Sequence, residues 1–141
     1  MIRRGRPALW LLLIPLGIVW AACSQSAQET LKELQRQREG AVDVVLLSPG
    51  DGLHHGRDTF TVEFRSVSSG NLVDVGTVSA SANMPMAGMP MMAGMIDVAR
   101  TDVAGRYAAT GNLAMVGTWR LTVQWEGSAG RGSVTFPASV Q

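Results

Sequence analysis

The sequence predicts an all-β domain, and three observations predict it. From Val42 onward, short apolar alternations are separated by Gly, Pro, Asn and Asp, the punctuation of strands rather than helices. Their period is two. In Thr59 to Ser66, Phe60, Val62 and Phe64 share one face while Thr61, Glu63 and Arg65 share the other; in Thr118 to Glu126, Trp119, Leu121, Val123 and Trp125 lie opposite Arg120, Thr122, Gln124 and Glu126. Weaker strands fall at Val42 to Leu47, Leu72 to Ala82, Met95 to Ala99, Arg106 to Leu113 and Arg131 to Phe136, which makes seven. Seven short strands over about 100 residues fit an immunoglobulin-like β-sandwich, whose two sheets pack their apolar faces together.

The core follows from the alternation. Burial of Phe60, Phe64, Trp119 and Trp125 is worth roughly 1.5 to 3 kcal/mol each, enough for one domain without disulfides. Tyr107, following Asp102 and Gly105, is placed either like a tyrosine-corner residue or as an ordinary core tyrosine.

Before the domain, residues 1–22 read as an export signal. Arg3, Arg4 and Arg6 form a basic start, and Ala8 to Ala22 is an apolar stretch ending in small residues. It is shorter than the roughly 20 residues of a membrane span and is interrupted by Pro15 and Gly17, which disfavours a retained helix. Val19-Trp20-Ala21-Ala22-Cys23 resembles the bacterial lipobox, in which cleavage precedes a cysteine that is then acylated; Trp20 stands where an aliphatic residue is usual. The resemblance implies a lipid anchor at Cys23 on the periplasmic side of a bacterial membrane, and Ser24 favours the outer membrane in a Gram-negative cell. Cys23 is the sole cysteine, so acylation removes the hazard of an unpaired thiol in an oxidising compartment. Residues 23–40 are polar and charged, with Leu31 and Leu34 as the sizeable apolar side chains; they are expected to form a tether, with a turn or two of helix from the Thr30/Glu33 capping-box spacing. The folded domain is expected over 41–141.

Charge and motifs narrow the function. The net charge is +1; without the three arginines of the leader it is −2, nine basic against eleven acidic residues. There is no basic patch to hold nucleic acid. After the leader there is no free thiol nucleophile, no GxSxG element, no phosphate-cradling loop and no spaced His/Asp/Glu set, so catalysis is not expected.

The unusual feature is Met84-Pro85-Met86-Ala87-Gly88-Met89-Pro90-Met91-Met92-Ala93-Gly94-Met95, which repeats Met-Pro-Met and follows each copy with Ala-Gly-Met. Pro85 and Pro90 disfavour helix and central strand alike, and Gly88 and Gly94 supply bends, so the segment is expected to be a loop between strands. Thioether sulfur is a soft, neutral ligand that protonation cannot remove, and soft ligands favour Cu(I) over hard ions. Met84 with Met86, or Met89 with Met91, would present paired sulfurs, with Met92 or Met95 completing a site. The alternative is an adaptable hydrophobic contact surface for another protein. His54 and His55 follow Asp51-Gly52 in a turn; they either join the metal site, should the loops meet at one end, or are solvated imidazoles. Met115, in Leu113-Ala114-Met115-Val116-Gly117, is a candidate seventh sulfur, though the stretch reads better as a turn or core position.

The stretch from about Val42 to Val140 resembles the YtkA-like or FixH-like family of exported immunoglobulin-like domains. The resemblance rests on Met89-Pro90-Met91-Met92, then Gly105-Arg106-Tyr107, then Met115-Val116-Gly117-Thr118-Trp119-Arg120-Leu121-Thr122-Val123. It implies copper handling, delivery or resistance, and an efflux or oxidase-maturation complex as partner. Members often carry a histidine close after the Met-Pro-x-Met element, and here none lies between Met84 and Gln141, so the resemblance together with the sulfur chemistry implies Cu(I) or Ag(I) rather than Cu(II).

Overall fold

The computed structural model describes residues 30–141; the expected signal peptide and Cys23 lie outside them. Eight strands run in the order β1 Lys32–Glu39, β2 Val42–Ser48, β3 Gly56–Ser66, β4 Thr77–Met84, β5 Met92–Arg100, β6 Arg106–Leu113, β7 Gly117–Gly127 and β8 Gly130–Val140. Their spatial order is β1-β2-β3-β6-β5-β4-β7-β8, every neighbouring pair antiparallel. The fold is all-β and immunoglobulin-like, as the alternation implies. One layer is β1-β2-β3-β6-β5 and the other is β4-β7-β8. The β4–β5 pairing joins them, so the sandwich is one sheet curled nearly into a barrel.

Side-chain alternation builds the core. Phe60, Val62 and Phe64 of β3 meet Trp119, Leu121, Val123 and Trp125 of β7 and Phe136 of β8, all buried. The Phe64 ring lies edge-on to Tyr107 at 5.5 Å and to Trp125 at 5.3 Å, an arrangement aromatic quadrupoles favour.

The expectation of a tether with a helical turn is corrected at residues 32–39, which form β1 on the edge of the sheet. The reason lies in β2, which is buried at all seven positions. A strand buried on both faces must have its backbone donors and acceptors bonded along both edges. β3 serves one edge of β2 and β1 the other. Pairing of this kind uses main-chain groups, so a strand of Lys, Glu, Gln and Arg with Leu34 as its one apolar side chain supplies it as well as an apolar one. Gly40, at φ 57°, makes the tight turn between the two strands.

Polar side chains cover the outer face of these strands. Arg36, Val45, Glu63 and Arg106 follow one another in register across β1, β2, β3 and β6. The buried Glu63 carboxylate takes Arg65 at 2.9 Å and Arg106 at 2.8 Å, and Asp43 takes Arg38 at 2.8 Å and Arg36 at 3.4 Å. Burying a carboxylate such as Glu63 is tolerable because it is paired on both sides.

Two strand boundaries differ from expectation. The predicted strand Leu72 to Ala82 begins at Thr77, because Val73 to Gly76 crosses from one layer to the other through Gly76 at φ 88°. The predicted strand at Met95 begins three residues earlier, at Met92.

Candidate functional site

The hairpin between β4 and β5 carries the methionines. The expectation that Met84 to Met95 is all loop is corrected: Met84 ends β4, Met92 and Met95 lie in β5, and Pro85 to Met91 is the connection. The two prolines sit just outside the ladder, where a missing N–H costs no sheet bond, and Met84 pairs with Met92 in register. At the tip, the Met86 carbonyl accepts from Met89 N–H at 3.5 Å across Ala87-Gly88, with Gly88 at φ 71°. That is the position a type II turn reserves for glycine.

Strand alternation sorts the sulfurs. Met84 and Met92 face inward, half-buried against the core. They lie one step nearer the rim than Ala82 and Gly94, and Gly94 has Trp119, Leu113 and Ala82 within 3.1 to 3.3 Å of where a Cβ would stand. Met95 falls on the opposite, outer face beside Arg57 and Asp97, and is 75% exposed. Met89 and Met91, near the tip, are 59% and 64% exposed, and Met86 is half-buried.

The surrounding loops converge on the same end. The strand directions bring together the β2–β3 connection with His54 and His55, the β6–β7 turn with Met115 and Val116, the start of β1 and the C-terminal Gln141. His55 N–H donates to the Gln141 carbonyl at 2.8 Å, and Gln141 N–H to the Leu53 carbonyl at 2.9 Å. Both imidazoles are exposed; Nδ1 of His54 lies 3.6 Å from the Asp58 carboxylate. Met115 is 42% and Val116 59% exposed, so Met115 sits on a turn and not in the core. Among the exposed large apolar residues of the described chain, only Val103 lies away from this end. Exposure at Met115 and Val116 could not be read from pattern, since Leu113-Ala114-Met115-Val116 is one apolar run that shows no alternation.

Among the described residues, no three His, Cys, Asp or Glu side chains stand together as a metal site. The soft donors at this end are the methionine sulfurs, and the two imidazoles stand on the β2–β3 connection at the same end.

A family model for YtkA-like domains matches residues 36–124. The chain belongs to the YtkA-like family. The match starts within β1 and ends within β7, so it takes in the methionine hairpin, Tyr107 and the β6–β7 turn. Among solved structures, the Lin-41 filamin domain is similar at 14% identity and a TM-score of 0.46, aligned over 76% of this YtkA-like chain and 98% of that one. No curated protein matches the sequence.

Proposed function

We propose that this YtkA-like protein is an exported lipoprotein, acylated at Cys23, that binds a soft metal, foremost Cu(I), at its methionine rim for copper handling, delivery or resistance. Copper is cargo in this reading. The observation that carries it is the gathering of Met84, Met86, Met89, Met91, Met92 and Met95 around one hairpin, with Met89 and Met91 open to solvent beside the half-buried pair Met84 and Met92. Exposed sulfur collects an ion; half-buried sulfur holds it away from water, where a soft ion gains most from thioether ligands. His54 and His55 stand at the same end as additional donors.

The place at which β1 begins supports delivery at a membrane. β1 begins at the methionine end, and the nine residues from Cys23 to Lys32 span at most about 30 Å when extended. An anchor at Cys23 would therefore keep the rim near the bilayer and within reach of an efflux or oxidase-maturation complex.

A second reading has its own observation, the concentration of exposed Met89, Met91, Met95, Met115 and Val116 at one end. A patch of this kind also suits docking on a membrane protein without metal. An anaerobic Cu(I) competition titration of the purified chain separates the two, run beside a variant with the six hairpin methionines changed to Leu. Stoichiometric binding by the parent, lost in a folded variant, is expected. A parent that binds no Cu(I) would falsify the metal reading and leave docking.

A further inference from the structure

We propose that Met115, on the β6–β7 turn, is a further sulfur ligand of the metal site, which it closes together with Met84 and Met92. The inference rests on the Cu(I) reading above and changes where the ion sits: between two turns, at the mouth of the barrel, instead of within the hairpin tip.

Three contacts converge on this place. The first is between Met84 and Gly117: a Cβ built on Gly117 would stand 2.5 Å from Met84 Cε and 3.7 Å from its Sδ. The thioether of Met84 therefore lies across the bare backbone of Gly117, two residues from Met115. The second is between Trp119 and Met115. The wholly buried indole donates its N–H to the Met115 carbonyl at 2.9 Å, which fixes the turn against the core. The third is the register of Met84 with Met92, which sets their side chains on the inner face, one step outward from Ala82 and Gly94, where a Cβ on Gly94 would stand 3.1 Å from the Trp119 ring. Trp119 thus lies beneath Met84 and Met92 and holds the backbone of Met115.

Reach is adequate. Met115 and Gly117 are two residues apart, at most about 7 Å between Cα atoms, and the flexible three-bond side chain of methionine covers such a gap. Cross-strand partners such as Met84 and Met92 keep their Cβ atoms about 5 Å apart. Three neutral sulfurs brought from two strand ends and a turn suit a soft monovalent ion. Glycine at 117, at φ 135°, leaves the space that Met84 needs to turn toward Met115.

The experiment is an anaerobic Cu(I) competition titration of the full chain, with Met115→Leu and, as a control on the same turn, Val116→Ala. The expected result is a Kd raised tenfold or more by Met115→Leu and changed less than twofold by Val116→Ala, with the Trp119 indole N–H resonance retained in both. A parent that binds while Met115→Leu binds equally tightly overturns this inference and leaves the copper reading standing; a parent that does not bind overturns both. Ag(I) added to the chain labelled with carbon-13 at its methionine methyls gives an independent readout. The Met84, Met92 and Met115 methyls should move together at one equivalent, and a Met115 methyl that stays in place while the hairpin methyls move overturns the inference.

Discussion

The Tyr107 hydroxyl donates to the carbonyl of Gly76 at 2.9 Å, so a strand of one layer holds the segment that feeds β4 in the other. Arg100 reaches the same carbonyl at 2.7 Å and the Asp74 carboxylate at 3.3 Å, and its guanidinium lies 5.9 Å from the Tyr107 ring centre. The sequence left Tyr107 as either a tyrosine corner or a core residue; it is buried, and its bond goes to a residue 31 positions upstream, not a few. Tyr107→Phe removes one donor but leaves the carbonyl its arginine, so the expected cost is about 1 kcal/mol. A urea midpoint equal to that of the parent would show that Arg100 alone suffices.

The same phenol predicts alkaline behaviour. Burial first, and then the Asp74 carboxylate, push the Tyr107 pKa up. A raised folded pKa means that stability is fully present below the ordinary phenol value of about 10 and falls as pH rises through the folded value. Tm measured from pH 8 to 11 should fall less for Tyr107→Phe than for the parent; parallel curves would remove Tyr107 as the cause.

Acid acts through Asp43. The hydrogen bond from Arg38, with help from Arg36, holds its carboxyl below the usual value, against the opposing effect of burial. A lowered folded pKa contributes stability above about pH 4 that is lost as pH falls through the folded value. Asp43→Asn should flatten the acid limb of the Tm profile, and an unchanged limb would assign acid unfolding to other carboxylates.

Gly132 faces Trp125 across the β7–β8 ladder, and a Cβ there would stand far inside van der Waals contact with Cζ2 of the indole. Gly132→Ala must displace a side chain that packs on Phe64, an overpacking that costs about 1 to 3 kcal/mol. Tryptophan emission shifted to the red, with a lower urea midpoint, is the expected outcome; a variant as stable as the parent would mean that the ring moves freely.

If Lys32–Glu39 were only a tether, a chain beginning at Ala41 would fold unchanged. As the strand covering the edge of β2, its removal should instead leave an apolar edge open. Size-exclusion chromatography should show oligomers or aggregate, and a clean monomer with the parent's Tm would contradict the role of β1.

How far the sequence carried depended on which force set each element. β3 and β7 were legible because one face of each is apolar and the other polar, so period two appears in the letters. β1 was not, because main-chain bonding to β2 decides it and, apart from Leu34, which packs on the core, its side chains are polar or charged. The methionine hairpin was half legible: Pro85 and Pro90 announced the turn, but nothing local showed that Met84 and Met92 pair inward while Met95 faces out. The approach of Met84 to Gly117 depends on the chain folding β6–β7 back beside β4, a relation no window of residues contains.

Among the described residues, the backbone-to-backbone ladders that link the two layers, Ala82 to Met84 with Met92 to Gly94 and Leu53 to His55 with Val140 to Gln141, both lie at the methionine end. The layers are clasped there on two sides, while the far end relies on side chains such as Arg100 and Tyr107. The barrel is therefore a cup fastened at its lip, and loosening should start from its base. Amide protons of Ala82 and Gly94 should outlast those near Gly76 in hydrogen exchange, keeping the lip shaped even while the rest of the wall breathes.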